Sequence, residues 1–359
     1  MRLALREAAK GVGRTSPNPC VGAVVVKDGE VVAKGYHRRA GTPHAEVNAL
    51  NAAGEQARGA TLYVTLEPCN HQGRTPPCTE RILAAGITRL VVGMDDPNPL
   101  VRGGGSAYLA GLGLEVITGV LADESLALNR PFVKHVTCGR PWVIMKAGMS
   151  MDGRIATRTG HSQWITGEAA RARVHWWRDR VDAILIGVGT ALADDPSLTA
   201  RPPRGRGHDP LRVVLDSALR LAPTSRLLQQ KSTAATWIFC GPAASLPRRA
   251  ALVAAGAVVK EVALSSQGGL DLAEVLAELG RNGVTTLLVE GGGQVHAAFL
   301  RENLYDQACL FVAPFFLGGD GLPVIGDLGL ERVEQGRRFR RTAVRHLGED
   351  LQIEGLFEE

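Results

Sequence analysis

Residues 42–53 read TPHAEVNALNAA, residues 66–69 LEPC and residues 77–81 PCTER. Thr42 suits a helix N-cap and Pro43 the first helical position, so HAEVNALNAA is predicted to be a helix with His44 in its first turn. TLYVTL (61–66) is predicted to be a strand. CTERILAAG (78–86) is predicted to be a second helix, opening near Cys78 and stopped by Gly86. His44 and Cys78 therefore stand at helix starts, and Cys69 in the loop after the strand. A helix N-terminus favours a thiolate over a thiol. His44, Cys69 and Cys78 are the expected ligands of one ion.

The rest of the chain is read outward from this core. CVGAVVVKDGEVVAKGY (20–36) predicts two strands joined by a turn at Asp28-Gly29. TRLVVGM (88–94) and LEVITGV (114–120) predict further strands, separated by a loop with DDPNP (95–99) and a glycine run. Alternating strands and helices imply a three-layer α/β domain over residues 1–122. Residues 123–141, with Pro131 and Pro141, read as a helical or irregular connector. A second α/β domain is expected over 142–359, opening with PWVIMKAGMS (141–150). Its expected strands are AILIGVG (183–189), LRVVLD (211–216), TWIFC (236–240), TTLLVE (285–290), ACLFVAPFFLGG (308–319) and LQIEGLF (351–357). Helical patterns lie at 168–180 and 271–282, and a further helix follows Gly291–Gly293.

Length and composition bound the class. A chain of 359 residues fits two domains. Apolar residues make up 45% and charged residues 21%, as in a globular protein. No apolar run reaches the roughly 18 residues of a membrane span. MRLALREAAKG shows no signal-peptide pattern. A cytoplasmic protein is expected. Six cysteines are too few for a disulfide scaffold. Cys20, Cys138, Cys240 and Cys309 are isolated and read mostly as buried thiols. The net charge of +5 suits a phosphate-bearing ligand. Scattered basic residues and 5% aromatic content argue against nucleic acid.

Three protein ligands leave the fourth tetrahedral position of a zinc ion open to water, as in catalytic rather than structural sites. Such a water ionises near neutral pH. Glu46 lies two residues after His44, so on a helix the two side chains diverge. Glu46 is therefore expected beside the water, as the group that takes its proton and passes it to a leaving amine. His-x-Glu followed by Pro-Cys and a second Cys is the pattern of zinc deaminases, with the Glu as acid/base. Here eight residues separate the cysteines where two are usual. A structural zinc with His71 as fourth ligand is the alternative, and it leaves Glu46 without a task.

Together with SPNP (16–19), VGAVVVKDG, GYH (35–37), GTPHAEVNAL, YVTLEPC, HQGRTPPC (71–78) and DDPNP, this site resembles the bifunctional riboflavin-biosynthesis deaminase-reductases. The resemblance covers nearly the whole chain. It implies a cytidine-deaminase-like first domain that removes the 2-amino group of a phosphoribosylated diaminopyrimidine. His44, Cys69 and Cys78 would be zinc ligands and Glu46 the proton shuttle. Asn18, His37, His71 and Arg74 would neighbour the substrate. For Asn18, between two prolines, a turn is an equal reading.

In the second half, Gly187-Val188-Gly189 and Gly291-Gly292-Gly293 lack the Rossmann spacing. Either could cradle a phosphate at a helix start, or serve as a packing turn. KAGMSMDGRIA (146–156), SQWIT (162–166), GTALADDPSLTAR (189–201) and VEGGG (289–293) resemble the family's reductase domain. That implies a dihydrofolate-reductase-like fold using NADPH to reduce the ribose of the deaminated product. Gly148, Trp164, Thr190, Asp194, Ser217, Gly292, Gly293, Gln294, Val295, His296, Ala297 and Ala298 would line the cofactor. Ser162, Arg178, Leu198, Arg201 and Glu290 would meet the substrate, the arginines binding its phosphate. Lys146 or Asp194 would deliver a proton, with a surface lysine and a helix-end aspartate as the plain alternatives. The resemblance also implies a homo-oligomer formed through this domain.

Overall fold

Small and β-branched residues in GAVVV open the first sheet. The computed structural model describes residues 1–71, 76–99, 104–203, 205 and 207–358. In it β1 (Gly22–Lys27) and β2 (Glu30–Tyr36) form the expected hairpin. Its turn residues, Asp28 and Gly29, both have positive φ, as a two-residue hairpin of this hand requires. β3 (Thr61–Leu66), β4 (Arg89–Met94) and β5 (Glu115–Ile117) complete a five-stranded sheet ordered β2-β1-β3-β4-β5. β1 is antiparallel to β2 and β3, whereas β3, β4 and β5 are parallel.

Among the described residues, the α-helices α1 (Arg2–Ala8), α2 (Ala45–Ala53), α3 (Cys78–Ala84), α4 (Gly105–Gly111) and α5 (Ala122–Cys138) accompany it. Two glycines let helices lie close on the sheet. A Cβ on Gly22 would stand 2.0 Å from the Ala4 carbonyl of α1, and one on Gly35 2.4 Å from the Ala49 amide of α2. Ala23, Val25, Leu62, Val64, Leu90 and Val92 bury the sheet's face against Ala45, Ala49, Leu50 and Ile82. The stretch read as a connector, 123–141, is mostly α5. Asn129 on α5 accepts the Cys20 N–H at 2.8 Å and donates to the Cys20 carbonyl at 3.1 Å. The chain accordingly divides into Met1–Arg140 and Pro141–Glu359.

The second unit is built on nine strands. β6 (Trp142–Ser150), β8 (Ala183–Gly187), β9 (Leu211–Leu215), β10 (Thr236–Cys240), β11 (Ala257–Glu261), β12 (Thr286–Gly291), β13 (Gln307–Ala313), β15 (Phe339–Leu347) and β16 (Asp350–Phe357) run in the order β11-β10-β9-β8-β12-β6-β13-β16-β15. From β11 to β13 neighbours are parallel; β16 and β15 add antiparallel pairs. β7 (Arg154–Ala156) and β14 (Leu322–Pro323) form a separate small pair. The helices are α6 (Glu168–Arg178), α7 (Val188–Asp194), α8 (Leu246–Ala254), α9 (Leu272–Arg281) and α10 (Gly293–Arg301). Both faces of the parallel part are covered. Leu185, Leu287 and Val289 join one apolar cluster, while their chain neighbours Ile184, Ile186 and Leu288 join clusters on the opposite face. Continuous apolar runs such as AILI follow from that double burial.

Candidate active sites

The first site lies in a cleft of about 420 Å³ lined by Asn18, His37, His44, Glu46, Cys69, His71, Asp96 and Asn98, among others. Helix α2 starts later than expected. His44 is its N-cap, with extended backbone, and Ala45 its first residue. Thr42 instead donates its hydroxyl to the Arg39 carbonyl at 2.7 Å. The physical reason lies just ahead of α2, where the Pro43 carbonyl bonds to Asn48 Nδ2 and His37 Nδ1 and so stays out of the helical ladder. This turns the His44 ring toward the cysteines.

His44 Nδ1 lies 3.2 Å from Cys78 Sγ and 3.6 Å from Cys69 Sγ. The three donor atoms lie within 4.8 Å of one another. A tetrahedral zinc with Zn–N near 2.0–2.1 Å and Zn–S near 2.3 Å sets N and S roughly 3.6 Å apart. The donor set therefore fits zinc in chemistry and spacing. The Cys78 backbone N–H, at the start of α3, points at Cys69 Sγ at 3.3 Å. A hydrogen bond from the Cys78 thiol, aided by His44 and that N–H, holds the Cys69 thiol well below the usual thiol range. Glu46 stands outside the donor triangle, only 3% exposed, and borders the cleft. Burial pushes its carboxyl up, against the pull of His44.

His37 is buried, and one tautomer serves both its partners. Nδ1–H donates to the Pro43 carbonyl at 3.2 Å, and Nε2 accepts from Asn18 Nδ2 at 3.1 Å. Asn18 is thus a cleft residue and not only a turn. His71 also borders the cleft. Arg74 lies outside the described residues. Sequence reasoning passed over Glu67, Asp96 and Asn98. Glu67 accepts the Ser106 N–H at 2.9 Å and the Asp96 N–H at 3.4 Å, and Asp96 Oδ1 accepts the Asn98 N–H at 2.9 Å. The DDPNP and LEPC phrases were the available signal.

The second unit gathers a buried charged cluster. Glu290, near the end of β12, takes a bidentate bond from Arg178, with Nε–Oε1 and Nη2–Oε2 both 2.7 Å. Lys146 Nζ on β6 is 3.5 Å from Glu290 Oε2. Burial raises the Glu290 carboxyl, but Arg178 and Lys146 outweigh it and hold it at about 2. Arg178 Nη1 also donates to the Thr199 carbonyl at 3.3 Å. The Arg178 fork is engaged by the protein's own carboxylate through Nε and Nη2. Leu198 is 3% exposed, inside an apolar cluster, so it can meet a ligand only through its backbone.

Just beyond Glu290, Gly291 and Gly292 have positive φ, and a Cβ on Gly292 would stand 3.0 Å from Thr190 Oγ1. The expected Thr190 and glycine loop therefore meet. A Cβ on Gly187 would lie 2.7 Å from Val295, so that glycine serves packing. Along α10, Ala297 is fully buried, and the His296 ring faces the core, with Nδ1 2.7 Å from the Tyr305 hydroxyl. The helix amphipathicity turns both side chains inward. Gln294 lies against Gly326, and Val295 and Ala298 pack on the core. Gly293 closes on the Pro323 carbonyl. Gly148 faces Thr166, next to Ile165 and Trp164. The Trp164 ring is 69% exposed, with the Arg171 guanidinium 4.6 Å away. Ser162 is half-buried on the same loop, while Asp194, at the end of α7, and Ser217, after β9, are exposed. No described contact joins these four to the Thr190–Gly292 pair.

Comparison with known proteins matches both units. The cytidine and deoxycytidylate deaminase zinc-binding region matches residues 1–94, and the RibD C-terminal domain matches residues 141–353. The riboflavin biosynthesis protein RibD of Aquifex aeolicus is 42% identical over 98% of this chain and 96% of its own length. The chain belongs to the RibD family. The solved structure of RibD from Acinetobacter baumannii is 37% identical, with a TM-score of 0.89 over 100% of this chain and 98% of that one. A Thermotoga maritima diaminohydroxyphosphoribosylaminopyrimidine deaminase/5-amino-6-(5-phosphoribosylamino)uracil reductase is 38% identical, with a TM-score of 0.86 over 100% and 97%. As a RibD protein, the chain joins a zinc-dependent deaminase to an NADPH-dependent reductase of riboflavin biosynthesis. Its two halves are cytidine-deaminase-like and dihydrofolate-reductase-like α/β folds.

Proposed function

We propose that the first unit converts 2,5-diamino-6-(5-phosphoribosylamino)pyrimidin-4(3H)-one to 5-amino-6-(5-phosphoribosylamino)uracil, and that the second reduces the ribosyl group to give 5-amino-6-(5-phosphoribitylamino)uracil. The observation that carries this reading is the His44–Cys69–Cys78 triangle with buried Glu46 on one cleft wall. Zinc supplies a water that ionises near neutral pH. His44, Cys69 and Cys78 hold the metal. Glu46 accepts the water's proton and delivers it to the departing amine. A carboxyl raised by burial is suited to both transfers. Asn18, fixed by His37, and the Asp96–Asn98 loop, fixed by Glu67, supply polar groups to a pyrimidine edge.

In the second unit NADPH supplies hydride to the former anomeric carbon. The start of α10, beside Thr190 and Gly292, takes the cofactor's phosphates: the helix has no side-chain cap there, and helix N-termini favour anions. The exposed Arg201 meets the ribotide phosphate in place of the engaged Arg178. Lys146, part-buried beside Glu290, is the better-placed proton donor, because Asp194 stands exposed at the end of α7. We assign the protein to the cytoplasm, where its free thiols stay reduced, and to a homo-oligomer through the second unit, whose edge strand β15 exposes Val344 at 60%. Among the described residues no helix is long and apolar enough to cross a membrane.

The test supplies purified protein with zinc, NADPH and the diaminopyrimidine ribotide. Ammonia release and NADPH consumption are expected together. Ammonia without NADPH loss would remove the second half of the reading.

A further inference from the structure

One face of α6 does more than supply Arg178. His175, Arg178 and Asp179 lie three and four positions apart, so they project from the same side of the helix end. His175 Nδ1 accepts the Arg201 N–H at 3.3 Å, Arg178 Nη1 donates to the Thr199 carbonyl at 3.3 Å, and Asp179 Oδ1 accepts the His208 N–H at 2.8 Å. From the far side, Asp209 Oδ1 accepts the Ala200 N–H at 2.8 Å, while its Oδ2 takes the Ser232 hydroxyl at 2.7 Å. Gly207 lies so close that a Cβ there would stand 2.5 Å from the Ala200 carbonyl.

Thus polar backbone groups of three consecutive residues, Thr199 to Arg201, are each held by a side chain. The segment begins at Leu198, a non-glycine residue with φ +48. L side chains rarely adopt that conformation, and it persists only where the surroundings over-determine it. We propose that His175 and Asp209 are positioning residues of the reductase site, clamping the Leu198–Arg201 backbone so that Arg201 is aimed at the ribotide phosphate before substrate arrives. The inference rests on the proposed role of Arg201. Arg178 ties the same segment to Glu290, so the clamp also sets the distance between the phosphate end and the Lys146 end of the site. His175 can act as an acceptor only while Nδ1 is unprotonated. Burial, Arg178 and Arg201 hold its pKa down at about 4, which keeps it so at neutral pH.

A preordered loop lowers the cost of binding its ligand. Loss of the clamp should therefore weaken ribotide binding and leave NADPH binding alone. The experiment measures NADPH consumption by the zinc-loaded full chain with 5-amino-6-(5-phosphoribosylamino)uracil, and ammonia release from the diamino ribotide as a control in the same molecule. His175→Ala and Asp209→Ala should each raise KM for the ribotide about tenfold, the size of one lost hydrogen bond. KM for NADPH and the deaminase rate should not move. His175→Asn and Asp209→Asn keep an acceptor in place and should restore the ribotide KM. Should an alanine variant fail to fold, His175→Gln decides: its acceptor is displaced, so KM should still rise. An unchanged ribotide KM in the alanine or glutamine variants overturns the proposal. So does an equal rise in the asparagine variants, the mark of lost packing. A wild-type chain that consumes no NADPH with this ribotide would contradict the functional reading itself, before any variant is compared.

Discussion

At the residue scale, Glu46 and the metal ligands separate cleanly. Glu46 stands beside the donor triangle and is not part of it. Glu46→Gln should therefore keep zinc, measured by metal analysis, and lower the ammonia rate by about 100- to 10,000-fold, the usual contribution of a positioned acid/base. A second expectation concerns His296. Its buried ring titrates at about 4, lowered by burial and by Lys146. The unfolded histidine binds its proton near 6.5, so the unfolded state gains protons first as pH falls. The stability from this group is complete above pH 6.5 and is lost as pH falls toward 4, by about 2 kcal/mol at pH 5. Glu290, held at about 2, acts in the same direction lower down. Its contribution is present above 4.5 and disappears between 4.5 and 2. Urea unfolding of the second unit at pH 7.5 and 5 should show the difference, and His296→Gln should reduce it, leaving the part due to His175, which is also held at about 4.

At the element scale, close approach of helix to sheet governs the first unit. Gly22→Val puts a side chain against the Ala4 carbonyl, where backbone cannot give way without moving α1. A destabilisation of at least about 3 kcal/mol is expected, read as a lowered midpoint in thermal unfolding. Most elements were legible as sequence. The β1–β2 turn, β3, β4, α3 with its Gly86 stop, β10 and α9 all lie where pattern and punctuation place them. The start of α2 was not legible. Thr42 and Pro43 make a good local cap, yet the Pro43 carbonyl is taken by His37 and Asn48, and the helix begins two residues later. Edge strand β15 also escaped notice. Its residues Arg340–His346 are all exposed, so no alternation marks it.

At the scale of the whole molecule, the chain is two units with separate cores and separate chemistry. Residues 141–359 produced alone should bind NADPH and reduce the deaminated ribotide, checked by NADPH consumption without ammonia. Failure of this fragment to fold would contradict the division at Arg140. Metal removal should act on one side only. A chelator should lower the unfolding temperature of Met1–Arg140 and leave that of Pro141–Glu359 unchanged, because a metal bound to the native state alone adds to its stability.

By itself the sequence singled out His44, Cys69, Cys78 and Glu46 as the candidate zinc site and carried the family resemblance, because those depend on residue type and on spacing along the chain. Tertiary structure alone decided how the second site is wired. Arg178 and Glu290 are 112 residues apart and form one ion pair. Neither spacing nor composition shows that Arg178 is occupied by Glu290, that the rings of His296 and Tyr305 meet in the core, or that α6 grips the Leu198–Arg201 segment. Those contacts come from strands and helices distant in the chain. They are settled only when the parallel sheet brings its strand ends together.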